Sequence, residues 1–251
     1  MRAVLLCAGF GTRLYPLTRH IAKPLLEVSG KPIVEYLVDQ LAETSLVDAI
    51  CVVSNARFAS DFEDWANGLS LRHRDIRFHV LNDGVSEDEH RLGSIGDLAF
   101  AMSRQSSPGP LLISAGDNLF RFRIKDFIED YLAHPRNLVL AYKEKDRTQL
   151  RRTGVAEIDS NSRIQRLWEK PEEPPSEWAC PAFYLLTEAA VAAIDQYLEE
   201  AKNSDAIGHF IAWLAAQQPV YTHQMKGRRL DIGNLDNYRM AESWLREANI
   251  K

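Results

Sequence analysis

Between Arg2 and Ser114 short apolar runs alternate with amphipathic stretches, and this alternation restricts the fold more than any other feature. Arg2 to Cys7 (RAVLLC) is an apolar run that ends on a glycine-rich turn, which suits a buried strand. Lys31 to Thr44 carries Ile33, Val34, Leu37, Val38 and Leu41 at helical spacing, with Pro32 near the start, where proline is tolerated. Ala49 to Ser54 is a β-branched run, followed by an amphipathic stretch from Ala56 to Leu69. Ile76 to Leu81 and Leu111 to Ser114 predict two further strands, with a helix over Gly96 to Arg104 between them. Apolar strands separated by helices predict an α/β chain with a parallel, doubly wound sheet. Such sheets place ligands beyond the carboxyl ends of their strands.

After about Asn137 the texture changes. Leu138 to Tyr142, Gly154 to Ile158, Ile164 to Trp168 and Phe183 to Leu186 are short strands with few helices between them, which predicts an antiparallel extension. Pro171 to Pro175 (PEEPP) reads as an extended, solvent-exposed connection. Helices are expected at Glu188 to Ala201, Ala206 to Gln217 and Leu235 to Ala248. The expectation is one α/β domain over residues 1–251 with a Rossmann-like, doubly wound mixed sheet. Residues 1–136 and 137–233 would be its two parts and 234–251 its C-terminal helix.

Composition excludes several classes. A formal net charge of -5 leaves no basic excess for coating a nucleic acid. No apolar run reaches the roughly 18 to 20 residues that span a bilayer, and the N-terminal segment lacks a cleavage pattern, so no membrane partner is expected. Cys7, Cys51 and Cys180 show no paired ligand spacing and read as reduced, buried thiols, so a cytoplasmic setting is expected. An acidic chain that handles phosphates must gather its cations locally.

Leu6 to Val28 (LCAGFGTRLYPLTRHIAKPLLEV) does so. In Ala8-Gly9-Phe10-Gly11-Thr12 two glycines let backbone N–H groups approach a ligand, and Arg13 and Lys23 add a guanidinium fork and an ammonium. Oriented amides with these two cations suit a triphosphate. The stretch is neither a Walker loop nor a dinucleotide fingerprint, since position 14 is Leu14. The bland alternative is a glycine turn with solvated cations.

Further candidates lie at strand ends. Asp117, in Gly116-Asp117-Asn118, follows the apolar run Leu111 to Ala115, and Asp231 ends a late strand before Gly233. Two carboxylates suit Mg²⁺, which takes only one or two in phosphoryl transfer; a turn at Asp117 and a cap ahead of Asn234 are the bland readings. Asn82 offers the amide donor and acceptor that a base edge requires, or it caps a turn, while Gly93 and Gly96 admit a flat ligand or mark a helix start. Glu169 and Lys170 are adjacent, so on a strand they point to opposite faces, or they stand on either side of a bend, one for hydroxyls and one for a phosphate. A solvated ion pair is the alternative.

Gly9, Gly11, Thr12, Arg13, Leu14, Pro16, Thr18, Lys23 and Pro24 fit a pattern of Gly-x-Gly-Thr-Arg-Leu-x-Pro-x-Thr, a spacer, then Lys-Pro. On these positions the chain resembles the sugar-phosphate nucleotidyltransferase family, and the resemblance runs from Arg2 to about Tyr238. It implies the nucleotide-diphospho-sugar transferase fold and the condensation of a nucleoside triphosphate, dTTP or UTP, with a sugar 1-phosphate. It implies that Ala8, Gly9, Gly11, Thr12, Arg13, Lys23, Asn82, Gly93, Ser94 and Gly116 bind nucleotide, and that Asp117 and Asp231 bind Mg²⁺. Asn118, Gly154, Glu169, Lys170 and Ala182 would line the acceptor pocket, and Arg13, Lys23, Asp117 and Lys170 would be catalytic. Departures are Cys7 for an alanine, an insertion from Gly84 to Glu89, the acidic Asp97, and Pro181-Ala182 where a glycine is usual at 182. They leave room for a cytidylyltransferase acting on phosphocholine or a phosphonate. A catalytically silent nucleotide-sugar sensor is a rival of another class, and a homo-oligomer is compatible with the sequence.

Overall fold

The computed structural model describes residues 1–104, 109–201 and 203–247. In chain order the elements are β1 (Arg2–Leu6), β2 (Glu27–Val28), β3 (Lys31–Pro32), α1 (Ile33–Glu43), β4 (Ala49–Ser54), α2 (Ala59–Arg72) and β5 (Arg77–Asn82). Then come α3 (Gly93–Arg104), β6 (Leu111–Ala115), β7 (Asn118–Arg121), α4 (Ile124–Ala133), β8 (Asn137–Lys143), α5 (Arg147–Leu150), β9 (Gly154–Ile158) and β10 (Ile164–Glu169). The remainder is β11 (Trp178–Cys180), β12 (Phe183–Leu186), α6 (Glu188–Ala192), α7 (Ile194–Ala201), α8 (Ile207–Gln217), β13 (Val220–Gln224), β14 (Arg228–Asp231) and α9 (Leu235–Arg246). No helix among the described residues is long and apolar enough to cross a membrane.

The chain divides into two compact units, one of residues 1–4, 92–114 and 126–226, the other of residues 5–91, 115–125 and 227 onward. In the first, the strands run in the order β10-β9-β11-β8-β12-β6. Their pairings are antiparallel, with Phe183 opposite Ser114, Tyr184 opposite Val139 and Trp168 opposite Val155. β13 pairs parallel to β8. The apolar content of β12 and β8 explains their central places, since Phe183, Tyr184, Leu185, Leu138 and Val139 are all buried. Phe127 packs edge-on against Phe183 at 5.1 Å, and Tyr197 meets Phe210 and Trp213 at 5.4 and 5.7 Å.

In the second unit β4 and β5 are parallel, from Ala49 opposite Arg77 to Ser54 opposite Asn82. The end of β1 lies on the other side of β4, and every residue of β4 is buried, as its β-branched sequence leads one to expect. A two-stranded ribbon joins β7 and β14 with Leu119 opposite Leu230 and Asn118 opposite Asp231. Successive strand residues face opposite sides, so Leu119 and Leu230 enter a core with Leu14, Leu26, Val28, Ile33 and Ile232, and the polar positions face away from it.

The mixed α/β sheet is of the expected class, and most elements fall within a few residues of their predicted bounds. Three differences stand out. The helix expected from Glu188 to Ala201 is two, because the chain leaves α6 at its cap Ala193 before resuming at Ile194. The connection Pro171 to Pro175 is not wholly solvent-exposed, since Pro174 is buried. β2, β3, β7, β11, β13, α4 and α5 were not expected; most are very short, and α4 has its apolar residues Ile124, Phe127, Ile128 and Tyr131 at helical spacing. The last helix starts at the expected Leu235 and runs to Arg246; its expected end at Ala248 lies outside the described residues.

Candidate active site

The glycine loop belongs to the second unit and is fixed at both ends. Cys7 N–H donates to Val53 C=O at 2.9 Å, and the buried Asn55 donates its amide to Ala8 C=O at 2.8 Å. The Asn55 Oδ1 accepts from Arg57 and Phe58 N–H, so one side chain sets both the loop and the approach to α2. Gly9 stands exposed between buried Ala8 and Phe10, with nothing within 4 Å of where a Cβ would lie, so its backbone is open to a ligand. Gly11 has φ of 64°, and its C=O accepts from the Thr18 hydroxyl at 2.7 Å. That bond folds the loop back and brings the Lys23 Cβ within 3.2 Å of a Cβ built at Gly11. Thr12 and Arg13 are exposed.

The loop thereby presents Lys23 to the end of β6. Its ammonium pairs with Asp117 Oδ2, while Asn118 Nδ2 donates to Asp117 Oδ1 at 3.0 Å. Ile232 N–H donates to Asp117 C=O at 3.1 Å, which ties the start of the β7–β14 ribbon to the stretch carrying Asp231. Arg229 Nε donates to Asn118 Oδ1 at 2.6 Å, and its Nη2 lies 3.8 Å from Asp231 Oδ2. Burial works to raise the Asp117 pKa, but Lys23 and then Arg229 outweigh it, so the carboxyl sits below the usual aspartate range. Gly116 is buried with its Cα face on the Cys7 sulfur, where a side chain would collide. The thiol at position 7 is thus accommodated by the glycine at 116.

The acceptor candidates lie in the first unit. Glu169 ends β10, and its side chain is 9% exposed. Its carboxylate rests on Gly208 in the first turn of α8, at the place a Cβ would occupy, so any side chain there must displace the Glu169 carboxylate. Lys170 does not point to the opposite face. Its φ of 48° turns the chain back, and its Nζ lies 3.5 Å from Glu169 Oε1. Lys170 N–H donates to Thr153 C=O, and Thr153 donates its hydroxyl to Cys180 C=O. Burial raises the Glu169 pKa, and Lys170 and His209 offset this only in part. Burial, with Glu169 nearby, pushes the Cys180 thiol up to about 12. Gly154 sits under the same group, 2.8 Å from Cys180 O when a Cβ is built on it. Ala182 is half-buried beside Pro181.

The residues expected to read a base are engaged locally. Asn82 is exposed and its Oδ1 accepts from Gly84 N–H at 2.9 Å, which is a turn cap. Gly93 has φ of 78°, and a side chain there would overlap Ser204 C=O. The Ser94 hydroxyl donates to Asp205 C=O at 3.1 Å and accepts from Ile207 N–H at 2.7 Å, so it fastens the start of α3 to the start of α8. Within the second unit the fold gathers Lys23, Asp117, Asn118 and Asp231; within the first it gathers Gly154, Glu169 and Lys170. Sequence reasoning missed Asn55, Arg229, Gly208 and His209. Only Arg229 carried a signal, being two residues before Asp231 and so on its side of a strand. Among the described residues no three His, Cys, Asp or Glu side chains cluster as a metal site.

Known proteins match nearly the whole chain. The UTP–glucose-1-phosphate uridylyltransferase AglF of Haloferax volcanii is 27% identical over 248 residues, 98% of this chain and 97% of AglF. The glucose-1-phosphate thymidylyltransferase of Neisseria gonorrhoeae is 26% identical over 96% of this chain and 86% of its own. A crystal structure of a Bacillus anthracis protein, in complex with a sucrose, matches with a TM-score of 0.85 at 22% identity, covering 98% of this chain and 96% of that one. The family pattern described as nucleotidyl transferase matches residues 2–247.

Proposed function

The chain belongs to the nucleotidyl transferase family, and from that premise we propose that it joins the nucleoside monophosphate of UTP or dTTP to a sugar 1-phosphate and releases pyrophosphate. The observation that carries the reading is the pairing of the loop cation Lys23 with Asp117, beside the ribbon that sets Asn118 opposite Asp231. Two of the similar relatives are named for glucose 1-phosphate, one with uridylyl and one with thymidylyl transfer, which supports a hexose 1-phosphate; others of like identity are named guanylyltransferases, so the pyrimidine nucleotide rests on the choice of these two.

The donor set fits magnesium: two hard carboxylates, one of them kept ionised by its neighbours. Asp117 and Asp231 would hold the ion, which when bound neutralises charge on the phosphates. The open backbone at Gly9, with exposed Thr12 and Arg13, receives the triphosphate, and Lys23 stabilises the leaving pyrophosphate. The acceptor's phosphate oxygen attacks the α-phosphorus in line. A new P–O bond forms, the bond to the bridging α–β oxygen breaks, and pyrophosphate leaves with that electron pair. A phosphate is already ionised at neutral pH, so no general base is required. On the acceptor, Lys170 meets the phosphate and Glu169 accepts from hydroxyls.

A phosphocholine acceptor is the weaker reading. Its ammonium calls for an aromatic cage, yet Trp168 and Trp178 already carry Arg166 and Lys143 at 4.8 and 4.3 Å, and Tyr184 is buried in the sheet. Pyrophosphate release should be measured for UTP, dTTP, CTP and GTP, each with glucose 1-phosphate, other sugar 1-phosphates and phosphocholine. Turnover is expected with a pyrimidine nucleotide and a sugar 1-phosphate. Turnover only with CTP and phosphocholine would replace the sugar reading, and none with any pair would sink both.

A further inference from the structure

Arg229 stands on the site face of β14, since it is two residues from Asp231 while Leu230 enters the core between them. Its side chain is 12% exposed, and it reaches both Asn118 and Asp231. The cluster therefore holds two carboxylates, Asp117 and Asp231, and two fixed cations, Lys23 and Arg229. Their formal charges cancel before any ligand arrives. Lys23 is on a loop, but Arg229 is built into a paired strand and cannot leave.

We propose that Arg229 is a positioning residue that keeps the aspartate pair charge-balanced in the nucleotide-free protein, so that a divalent cation enters with the nucleotide phosphates and not ahead of them. The inference rests on the reading of Asp117 and Asp231 as the metal-holding pair. A dication gains little from a neutral cluster in a partly buried site, where charge interactions are only weakly screened. A triphosphate brings its own negative charge, and the same cluster then accepts the ion. The guanidinium also fixes Asn118, and through it the orientation of the Asp117 carboxylate.

The test uses the full chain without nucleotide and Mn²⁺ as a paramagnetic probe, with free Mn²⁺ read by electron paramagnetic resonance. Arg229→Met should bind Mn²⁺ about tenfold more tightly than the wild type, a change of about 1.4 kcal/mol. Arg229→Gln should behave alike, and Arg229→Lys, which keeps the charge, should stay near the wild type. Adding a non-hydrolysable UTP analogue should tighten Mn²⁺ binding in the wild type and change Arg229→Met much less. A merely structural arginine predicts the reverse sign, with weaker binding in Met, Gln and Lys variants alike, and that outcome overturns the inference, as does equal binding in all four proteins. Should Arg229→Met fail to fold by circular dichroism, the Gln and Lys variants decide the matter. Failure of the underlying metal reading shows separately: Mn²⁺ would still bind to the double variant Asp117→Asn, Arg229→Met as tightly as to Arg229→Met alone.

Discussion

Asp117 in one unit and Glu169 in the other each lie beside a lysine, yet the first carboxyl is held below its usual range and the second is raised above it. Burial opposes ionisation in both. What differs is the partner. Lys23 is itself largely buried, at 13% exposure, and is seconded by Arg229, so its field reaches Asp117 with little screening. Lys170 is 54% exposed and 3.5 Å away, so water screens it, while Gly208 and α8 close over Glu169. An ion pair secures a charge when both members share the interior; a solvated lysine leaves a buried carboxylate exposed to its own desolvation cost.

The strongest way to break the comparison is Asp117→Asn. It should lower kcat by at least about a hundredfold in pyrophosphate-release assays, as loss of a transition-state charge partner does. It should also lower Tm by about 5 °C, because Lys23 is left largely buried without its counter-charge. A variant with near-normal kcat would remove Asp117 from the mechanism.

Glu169→Gln tests the other side. Acceptor KM should rise about tenfold with kcat and nucleotide KM little changed, since a charged acceptor of hydrogen bonds becomes neutral. Tm at neutral pH should not fall, because a raised carboxyl pKa means the folded protein favours the neutral form. The stability from that preference is present below the unfolded glutamate value and is lost as pH rises through the folded one. Wild-type acceptor KM should therefore climb as pH drops through the raised Glu169 pKa, and the Gln variant should lose that dependence. Asp117 has the opposite sign: its contribution holds above the unfolded aspartate value and is lost only as pH falls through its depressed folded value. An acid limb that survives in Glu169→Gln would contradict this assignment.

Lys170→Met should have the smallest effect: Tm should hold, because an exposed ion pair contributes little, and acceptor KM should rise about threefold from the lost, solvent-screened contact to the acceptor phosphate. A loss as large as that of Asp117→Asn would mean that ligand binding buries Lys170 and that the two pairs are more alike than the free protein suggests.

The two sites were unequally legible in the sequence. The approach of Lys23 to Asp117 and the placing of Asp117 and Asp231 at strand ends could be anticipated because glycine turns, strand ends and cations leave local marks. The strands β4, β9 and β12 were readable from apolar runs with clean borders. β13 was not, because VYTHQ alternates polar and apolar residues and gains its place only by pairing with β8. The adjacency of Glu169 and Lys170 suggested opposite faces, and the left-handed backbone of Lys170 reversed it; nothing local announces a positive φ at a lysine. The seating of Glu169 on Gly208 joins residues far apart in the chain, which no periodicity can report.

That last contact limits how such a pocket changes over generations. A methyl at position 208 meets the Glu169 carboxylate and has room only if that side chain turns away. A side chain gained at 208 therefore calls for a new rotamer or a shorter acid at 169, which links the two positions. Changes at either position are then expected to shift the setting of the other, through one contact between β10 and α8.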